Sequence, residues 1–213
     1  MYTEIVMDII CTIGIIAFAV SGAMVAIKKR TDPFGAVVLA VVTATGGGIT
    51  RDILLGIQPP AAFIDCSFVV ISTVTALIVF LIAFIGKDSY RSKSELIDSI
   101  NNIFDALGLG VFVVIGTQTA IDYGYSQNMF LSIFIGTLTG IGGGFIRDIM
   151  VQEIPSVMRK HIYALAAISG STIFYIMYMH NIDYTLSAFC SAGFTFILRM
   201  LATHFKWNLP PAY

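Results

Sequence analysis

Seven stretches of about twenty apolar residues follow one another along this chain, and they constrain its fold more than any other feature. A helix that crosses the roughly 30 Å hydrocarbon core of a membrane needs about 20 such residues. Because 57% of the 213 residues are hydrophobic and only 12% are charged, little sequence remains for a soluble domain. The chain is therefore predicted to be an all-α polytopic membrane protein. Its seven transmembrane helices, called spans 1 to 7, cover residues 5–27, 33–55, 62–86, 97–121, 128–151, 157–179 and 184–205.

The basic residues between the spans or at their ends indicate how the chain is oriented. Counting spans puts all of them on one side, because the connections 56–61, 122–127 and 180–183 contain no Lys or Arg. Basic loops stay in the cytoplasm of membrane proteins. We therefore predict an N-terminus outside and a C-terminus in the cytoplasm, for a multi-pass protein of the inner (cell) membrane. The residues that decide this orientation are Lys28, Lys29, Arg30, Lys87, Arg91, Lys93, Arg159, Lys160 and Lys206.

One eight-residue motif of glycines and charges occurs twice inside the apolar spans. Residues 46–53 read GGGITRDI and residues 142–149 read GGGFIRDI, 96 positions later. Each glycine in a helix interior costs about 1 kcal/mol relative to Ala, and a charged side chain in an apolar span is costly and usually functional. The candidate site therefore comprises Gly46, Gly47, Gly48, Arg51, Asp52, Gly142, Gly143, Gly144, Arg147 and Asp148.

The motif belongs to a longer internal repeat. The pattern of Gly14, Phe18 and Gly22 in span 1 recurs 94 positions later in span 4, and Pro59 recurs as Pro155 at the offset of 96. Such a fixed period indicates that the architecture itself is duplicated. Spans 1 to 3 therefore correspond to spans 4 to 6, and span 7 is an addition.

The number of spans in each copy decides how the copies are related. Three is odd, so the second copy enters the membrane from the opposite side, which makes the pair an inverted repeat. We predict one membrane domain over residues 1–213. It contains a first three-helix repeat over residues 5–86, an inverted second repeat over residues 97–179, and a seventh helix over residues 184–205.

A run of three glycines can act on a transmembrane helix in two ways. It can break the helix and leave carbonyls at a helix end of negative polarity, which suit a desolvated monovalent cation such as K⁺ or Na⁺. It can also let two helices approach closely, as small residues do at many membrane interfaces. The duplication favours a pore or binding site, with the cation near the carbonyls of both triplets. Candidate pore-lining residues beside them are Thr45, Thr50, Thr139 and Asp105, although Ser and Thr hydroxyls often bond their own helix.

The charged pair in each motif needs partners. Adjacent residues point about 100° apart on a helix, so Arg51 and Asp52 are expected not to face each other. Candidate partners are the opposite repeat's charges, Asp105 or bared carbonyls. Snorkelling at the membrane surfaces is an equally good interpretation, and gating by a moving Arg is a third. His161 and Arg199 are expected to be solvated near the cytoplasmic surface.

Enzyme chemistry has little support in the sequence. The chain contains neither a G-x-S-x-G nucleophile elbow nor an H-E-x-x-H zinc helix. The glycine triplets also lack the spacing of a phosphate-binding loop. We expect no enzymatic activity, no cofactor other than the transported ion, and no nucleic-acid partner.

The doubled GGGxxRD motif, the Gly14–Phe18–Gly22 pattern with its echo, and the arrangement of three plus three plus one spans resemble a known family. It is the prokaryotic branch of the trimeric intracellular cation (TRIC) channels, also described as glycine transporters, and the resemblance covers about residues 5–205. It implies a homotrimer in membrane lipid with one ion path per subunit. It also implies kinked spans 2 and 5 lining that path, and selectivity for K⁺ and Na⁺ over anions.

Two functions remain open at this point. The first is a passive channel for monovalent cations, and the second is a secondary transporter of a small amino acid such as glycine, whose repeats rock about a midplane site. Inverted repeats occur in both. We favour the channel because no dense polar cluster for an ammonium and a carboxylate together is evident at mid-membrane, and because of the resemblance. A membrane scaffold without transport is the weakest alternative.

Overall fold

The computed structural model describes residues 2–86, 94–159 and 162–207. Within them, seven helices are long and apolar enough to cross a membrane. The basic residues Lys87, Arg91, Lys93 and Lys160, and also His161, lie outside the described residues. The helices are α1 (Tyr2–Lys28), α2 (Pro33–Leu55), α3 (Ala61–Ile64), α4 (Ser67–Ile85), α5 (Ser94–Ala120), α6 (Met129–Met150), α7 (Ser156–Arg159), α8 (Ile162–Met179) and α9 (Tyr184–His204).

The long helices end where the sequence supplies capping residues. The carboxylate of Asp32 accepts a hydrogen bond from the amide of Gly35 at 2.7 Å, next to Pro33 in the first turn of α2. This satisfies a donor that has no partner inside the helix. Gly56 ends α2 in a left-handed conformation with φ 74°, which costs glycine little. Asn128 caps the start of α6 in the same way as Asp32 caps α2.

Span 3 is preceded by a separate short helix, α3, where the sequence predicted a continuous span over residues 62–86. For span 6, predicted over residues 157–179, the residues between α7 and α8 lie outside the described ranges. In the first repeat Asp65 separates the two helices. Its carboxylate accepts the amide of Ser67 at 2.8 Å, and this backbone N–H lowers the pKa of Asp65. The local hydrogen bond competes with helix continuation, which is why the apolar pattern alone overestimated the length of span 3.

The helices α1 and α5 pack against each other in opposite directions. The rings of Phe18 and Phe112 stack with centroids 5.1 Å apart. Gly108 lies against the Phe18 ring and Gly14 against the Phe112 ring, so each glycine receives the aromatic ring of the other repeat. Since these residues correspond at the offset of 94, the contact is self-complementary about a pseudo-twofold axis.

The helices α2 and α6 cross through the same kind of symmetric contact. A Cβ at Gly47 would lie within 3.0 Å of the Thr139 carbonyl oxygen, and a Cβ at Gly143 would lie within 3.0 Å of the Thr43 carbonyl oxygen. The two threonines and the two glycines correspond at the offset of 96. The contacts of both helix pairs confirm the predicted fold class of seven helices with two inverted three-helix repeats.

The seventh long helix, α9, packs mainly on the second repeat. The hydroxyl of Ser191 donates to the Gly170 carbonyl of α8 at 2.8 Å, and the backbone of Ala192 lies directly against Gly110 of α5. In the first repeat, by contrast, α4 is mostly exposed, and its buried residues are Ser72, Ala76 and Ala83. The two halves therefore have the same order of helices but differ in the packing of α9 on the second half.

Candidate functional site

The three glycines of each triplet have different surroundings. Gly47 and Gly143, the middle residues, lie at the α2–α6 crossing described above, and Gly142 contacts the Gly47 backbone there. The third residues face their own arginines instead. A Cβ at Gly48 would have only Nη2 of Arg51 within 4 Å, at 3.8 Å. In each triplet the middle residue thus serves helix packing, whereas the third residue lies beside the arginine of its own motif, with open space around Gly48 and with polar side chains around Gly144.

Of the two actions of a glycine run considered from the sequence, a helix break is not seen in the described structure. Both α2 and α6 continue as α-helices through their triplets, because the glycines serve the helix crossing rather than a helix end. The nearby threonine hydroxyls bond their own helices: Thr45 to the Val41 carbonyl, Thr50 to Gly46 and Thr139 to Ile135. The bend that the family resemblance implies at the glycines stays a prediction.

The expectation that adjacent Arg and Asp cannot face each other is wrong. Nε of Arg51 donates to Oδ1 of Asp52 at 2.8 Å, and Nε of Arg147 donates to Oδ1 of Asp148 at 2.9 Å. The 100° argument applies to the Cα–Cβ directions, whereas the long arginine side chain curves around the helix to its neighbour. Adjacent residues therefore form a charge-assisted pair in each repeat.

The second carboxylate oxygen of each aspartate accepts a hydrogen bond from the first residue of the next helix along the chain, α3 or α7. Oδ2 of Asp52 accepts the amide of Ala61 at 2.9 Å, and Oδ2 of Asp148 accepts the amide of Ser156 at 2.7 Å. Each donor directly follows a proline. By this contact Pro60, rather than Pro59, is the counterpart of Pro155.

The second motif forms a larger buried cluster than the first. Nη1 of Arg147 donates to Oδ1 of Asp105 at 2.9 Å and to the Ser21 hydroxyl at 2.7 Å, while its other nitrogens pair with Asp148. Its side chain is only 3% exposed. Among the candidate partners considered from the sequence, Asp105 is thus confirmed. We call Arg51 and Asp52 with Gly48 the first cluster, and Arg147, Asp148 and Asp105 with Gly144 the second cluster.

The first cluster lacks the counterparts of two of these partners. At the offset of 94, Asp105 corresponds to Cys11 and Ser21 corresponds to Ile115, so neither a carboxylate nor a hydroxyl occupies the matching place beside Arg51. The Arg51 side chain is 10% exposed, against 3% for its counterpart. The first cluster is consequently the simpler and more open of the two.

The two clusters lie towards opposite ends of α1. Gly22, near the end of α1, lies against Leu39 and Ala40 in the first half of α2. Arg51, about three turns further along α2, therefore lies towards the start of α1, whereas Arg147 contacts Ser21, near its end. The salt bridges Lys28–Asp98 and Lys29–Glu153 lie at that same end, each with an N–O distance of 2.7 Å. The motifs therefore occupy inverted positions in the molecule, as the repeat predicts.

Arg199 has a different environment from the one expected from the sequence, and it is a further functional candidate. It was expected to be solvated, yet it is only 2% exposed, and its guanidinium carbon lies 4.5 Å from the ring centroid of Tyr163. Tyr163 is equally buried and was not singled out from the sequence. The missed signal was the position of Arg199 inside span 7, because an intramembrane charge needs a partner in the bundle.

We expect Asp148→Asn to lower the free energy of unfolding by about 1–3 kcal/mol, since a buried charged acceptor of two hydrogen bonds becomes a weaker neutral one. The measurement is chemical denaturation in mixed micelles. Asp98→Asn is the matched control, because its carboxylate pairs with Lys28 on the surface with side chains 58% and 48% exposed, and such pairs contribute less than about 1 kcal/mol. Equal effects of the two substitutions would contradict the buried role of Asp148.

The fold and the site together define a class of protein. It is a polytopic membrane protein built by inverted duplication, with a buried Arg–Asp pair on the glycine-bearing helix of each half.

The sequence profile of the family described as glycine transporter matches residues 8–84 and 102–179, so this chain belongs to that family, whose structurally characterised relatives are TRIC channels. The two matched ranges fall in the two three-helix halves. The resemblance noted from the sequence is therefore confirmed.

Several relatives align over most of the chain. A UPF0126 membrane protein of Vibrio cholerae is 36% identical over 198 residues, which are 92% of this chain and 79% of the relative. The UPF0126 inner membrane protein YadS of Escherichia coli is 33% identical over 199 residues, covering 93% of this chain and 92% of the relative.

Solved structures agree with the fold. A prokaryotic TRIC channel crystallised in 0.5 M KCl is 35% identical, with a TM-score of 0.85 over 98% of this chain and 100% of the other. The TRIC orthologue from Rhodobacter sphaeroides is 29% identical, with a TM-score of 0.84 over 95% and 99% of the two chains. The present chain is an integral membrane protein of the same fold.

Proposed function

We propose that this protein is a channel for monovalent cations, K⁺ or Na⁺, with an ion path in each subunit. The observation that carries the proposal is the pair of buried Arg–Asp clusters at inverted positions, each facing a glycine without a side chain. A path between them would pass along α2 and α6 beside the glycine crossing. The likeness to TRIC cation channels supports the same function.

The charges of the clusters suit a cation path that is closed at rest. An arginine in a narrow passage repels cations, so a displaced Arg51 or Arg147 would open the way while the aspartates remain to attract the ion. Once the two helices bend at the triplets, the carbonyls near Gly46, Gly47, Gly48, Gly142, Gly143 and Gly144 would replace part of the ion's water. Thr45, Thr50 and Thr139 hold their hydroxyls on those helices and would add oxygen ligands if they rotate.

The sequence and the relatives support a proposal for the membrane location, the oligomeric state and the orientation of the channel. We place the protein in the inner membrane as a homotrimer surrounded by lipid, as the names of its relatives suggest. Positive loops put the N-terminus outside and the C-terminus in the cytoplasm. The domain boundaries proposed from the repeat stay at residues 5–86, 97–179 and 184–205. No catalytic step, cofactor or nucleic-acid partner forms part of the proposal.

The second candidate function is transport of glycine, and the family description favours it. A glycine zwitterion needs a guanidinium or helix N-terminus for its carboxylate and a carboxylate for its ammonium. Each cluster contains both charges, but in each the arginine is already hydrogen-bonded to the adjacent aspartate. Binding glycine would therefore require both pairs to separate, which is why the channel is preferred.

Recording from purified protein in planar bilayers separates the two functions. We expect unitary currents in KCl whose reversal potential under a KCl gradient moves towards the K⁺ equilibrium value. We also expect Arg51→Gln to change open probability or selectivity, while Gly193→Ala, on α9 with nothing within 4 Å of its new Cβ, behaves as wild type. Saturable, ion-coupled glycine uptake by proteoliposomes without unitary currents would overturn the channel.

A further inference from the structure

The connection between α6 and α7, residues 151–155, folds back onto the first repeat. Its first residue, Val151, packs against buried apolar residues of α1 and α2, namely Ala26, Ala36 and Leu39. Two residues later, the Glu153 carboxylate pairs with Lys29, directly after the end of α1, at an N–O distance of 2.7 Å. An apolar contact and an ion pair therefore hold this connection against the other half of the molecule.

The same connection is bonded to the second cluster. The Glu153 amide donates to the Asp148 carbonyl oxygen at 2.9 Å, and the Ser156 amide donates to Oδ2 of Asp148 at 2.7 Å. Through its other carboxylate oxygen Asp148 pairs with Arg147. A displacement of the connection would therefore break contacts of the aspartate that holds the Arg147 guanidinium.

Two turns at this end of the bundle place residues other than glycine in the left-handed conformation. Arg30, which follows α1, has a φ of 60°, and Gln152 has a φ of 57°. Their counterparts in the other repeat, Gly124 and Gly56, are glycines with φ of 91° and 74°. The left-handed region is unfavourable for a residue with a Cβ, and such strain persists only where the surrounding structure holds it. The contacts of Val151 and of the neighbouring ion pair thus hold a strained connection in place.

The inverted repeat shows that the turn itself does not require the ion pair. At the offsets of 94 and 96, Lys29 corresponds to Tyr123 and Glu153 corresponds to Ile57, and these two side chains cannot form an ion pair. The turn is nevertheless the same, because the Ile57 amide donates to the Asp52 carbonyl oxygen at 2.8 Å. The ion pair therefore has a role beyond the folding of the turn.

We infer that Lys29 and Glu153 form a latch that stabilises the closed state of the ion path at the second cluster. This inference rests on the proposed channel function. While the pair is formed, the connection keeps Asp148, and with it Arg147, in the observed position. When the pair separates, the strain at Gln152 is released and the Arg147 guanidinium is free to leave the path. A half-exposed ion pair shifts such an equilibrium by about 1.5- to 5-fold, so the latch adjusts opening without abolishing it.

Two variants with opposite changes of charge test the latch. In planar bilayers, Lys29→Gln and Glu153→Gln should each raise open probability about 1.5- to 5-fold, although the first removes a positive charge and the second a negative one. The double variant should not exceed the single variants. The exchange of Lys29→Glu with Glu153→Lys should return open probability towards wild type. A general effect of surface charge would instead give the two single variants opposite signs.

The chain offers a matched control at the same end. Lys28 also forms an ion pair with an N–O distance of 2.7 Å, but its partner is Asp98 of α5 rather than a residue of the connection. We therefore expect Lys28→Gln to keep the open probability of wild type. Gln152→Gly removes the strain and leaves the ion pair intact, so it should lower open probability about 5-fold or more. A rise in Gln152→Gly would contradict the release of strain on opening.

A second measurement does not depend on conduction. Amide hydrogen exchange of the protein in nanodiscs follows the two amides that bond Asp148, those of Glu153 and Ser156. Lys29→Gln and Glu153→Gln should each speed this exchange about 1.5- to 5-fold, whereas Lys28→Gln should not. If wild type carries no current but the exchange changes as expected, the channel proposal fails and the hold of the ion pair on the connection stands. The inference is overturned if the two single variants change open probability in opposite directions or not at all, or if exchange keeps the wild-type rate in both.

Discussion

Replacing Gly143 with Ala should destabilise the protein by about 3 kcal/mol or more, at the upper end of the usual cost of overpacking. The new Cβ would lie within 3.0 Å of the Thr43 carbonyl oxygen, which belongs to the backbone of α2 and cannot rotate away. The two helices would have to separate at the centre of the inverted repeat. Chemical denaturation in mixed micelles and the monodisperse fraction after solubilisation measure the effect.

The same motif offers a matched control. Gly48→Ala adds the same atom in the corresponding triplet, but the nearest group to the new Cβ is Nη2 of Arg51 at 3.8 Å. We expect it to be neutral, or stabilising by up to about 1 kcal/mol, because Ala favours the helix over Gly. Gly47→Ala, against the Thr139 carbonyl oxygen, should resemble Gly143→Ala. If all three variants unfold alike, the division of roles within the triplets is incorrect.

Neutralising Arg147 is expected to have a second large effect. Arg147→Gln would leave Asp105 and Asp148 buried without the guanidinium that both of them bond, and breaking a buried ion pair in this way typically costs about 3–5 kcal/mol. Arg51→Gln should cost less, because it leaves only Asp52 and because the Arg51 side chain is 10% rather than 3% exposed. The measurement is the free energy of unfolding of both variants under the same conditions.

Two further variants make this comparison decisive. Lys28→Gln removes a surface cation whose side chain is 58% exposed, so it should change stability by less than about 1 kcal/mol. Adding Asp105→Asn to Arg147→Gln removes one of the two carboxylates that lose the Arg147 guanidinium and should restore part of the loss. If the double variant is no more stable than Arg147→Gln, the two residues are not coupled as the 2.9 Å contact indicates.

The two halves of the molecule share a scaffold but differ in their polar partners. In both, an aspartate bonds its neighbouring arginine and the amide that follows a proline. Only the second half adds a carboxylate, a hydroxyl and, through Tyr163, the arginine of α9. An inverted duplication can thus keep a symmetric frame while its two ends acquire different electrostatics. The predicted difference between Arg51 and Arg147 measures this divergence directly.

Some features were predictable from the sequence because they depend on residue order alone. The spans follow from runs of apolar residues, and the doubled motif at residues 46–53 and 142–149 follows from direct comparison. The division of span 3 at Asp65 was missed, because one local hydrogen bond outweighed the apolar pattern there. The partnership of Arg147 with Asp105 was one of several alternatives, since the sequence gives no distance between helices.

The sequence by itself therefore determined the seven helices, the inverted duplication and the position of the doubled motif, because hydropathy and repetition are properties of the chain in one dimension. Tertiary structure decided which contacts the residues of the motif make. It places Gly47 and Gly143 in a helix crossing, curves each arginine onto its adjacent aspartate and buries Arg199 against Tyr163. These outcomes depend on how closely neighbouring helices approach and on where long side chains find partners, and only packing in three dimensions fixes either.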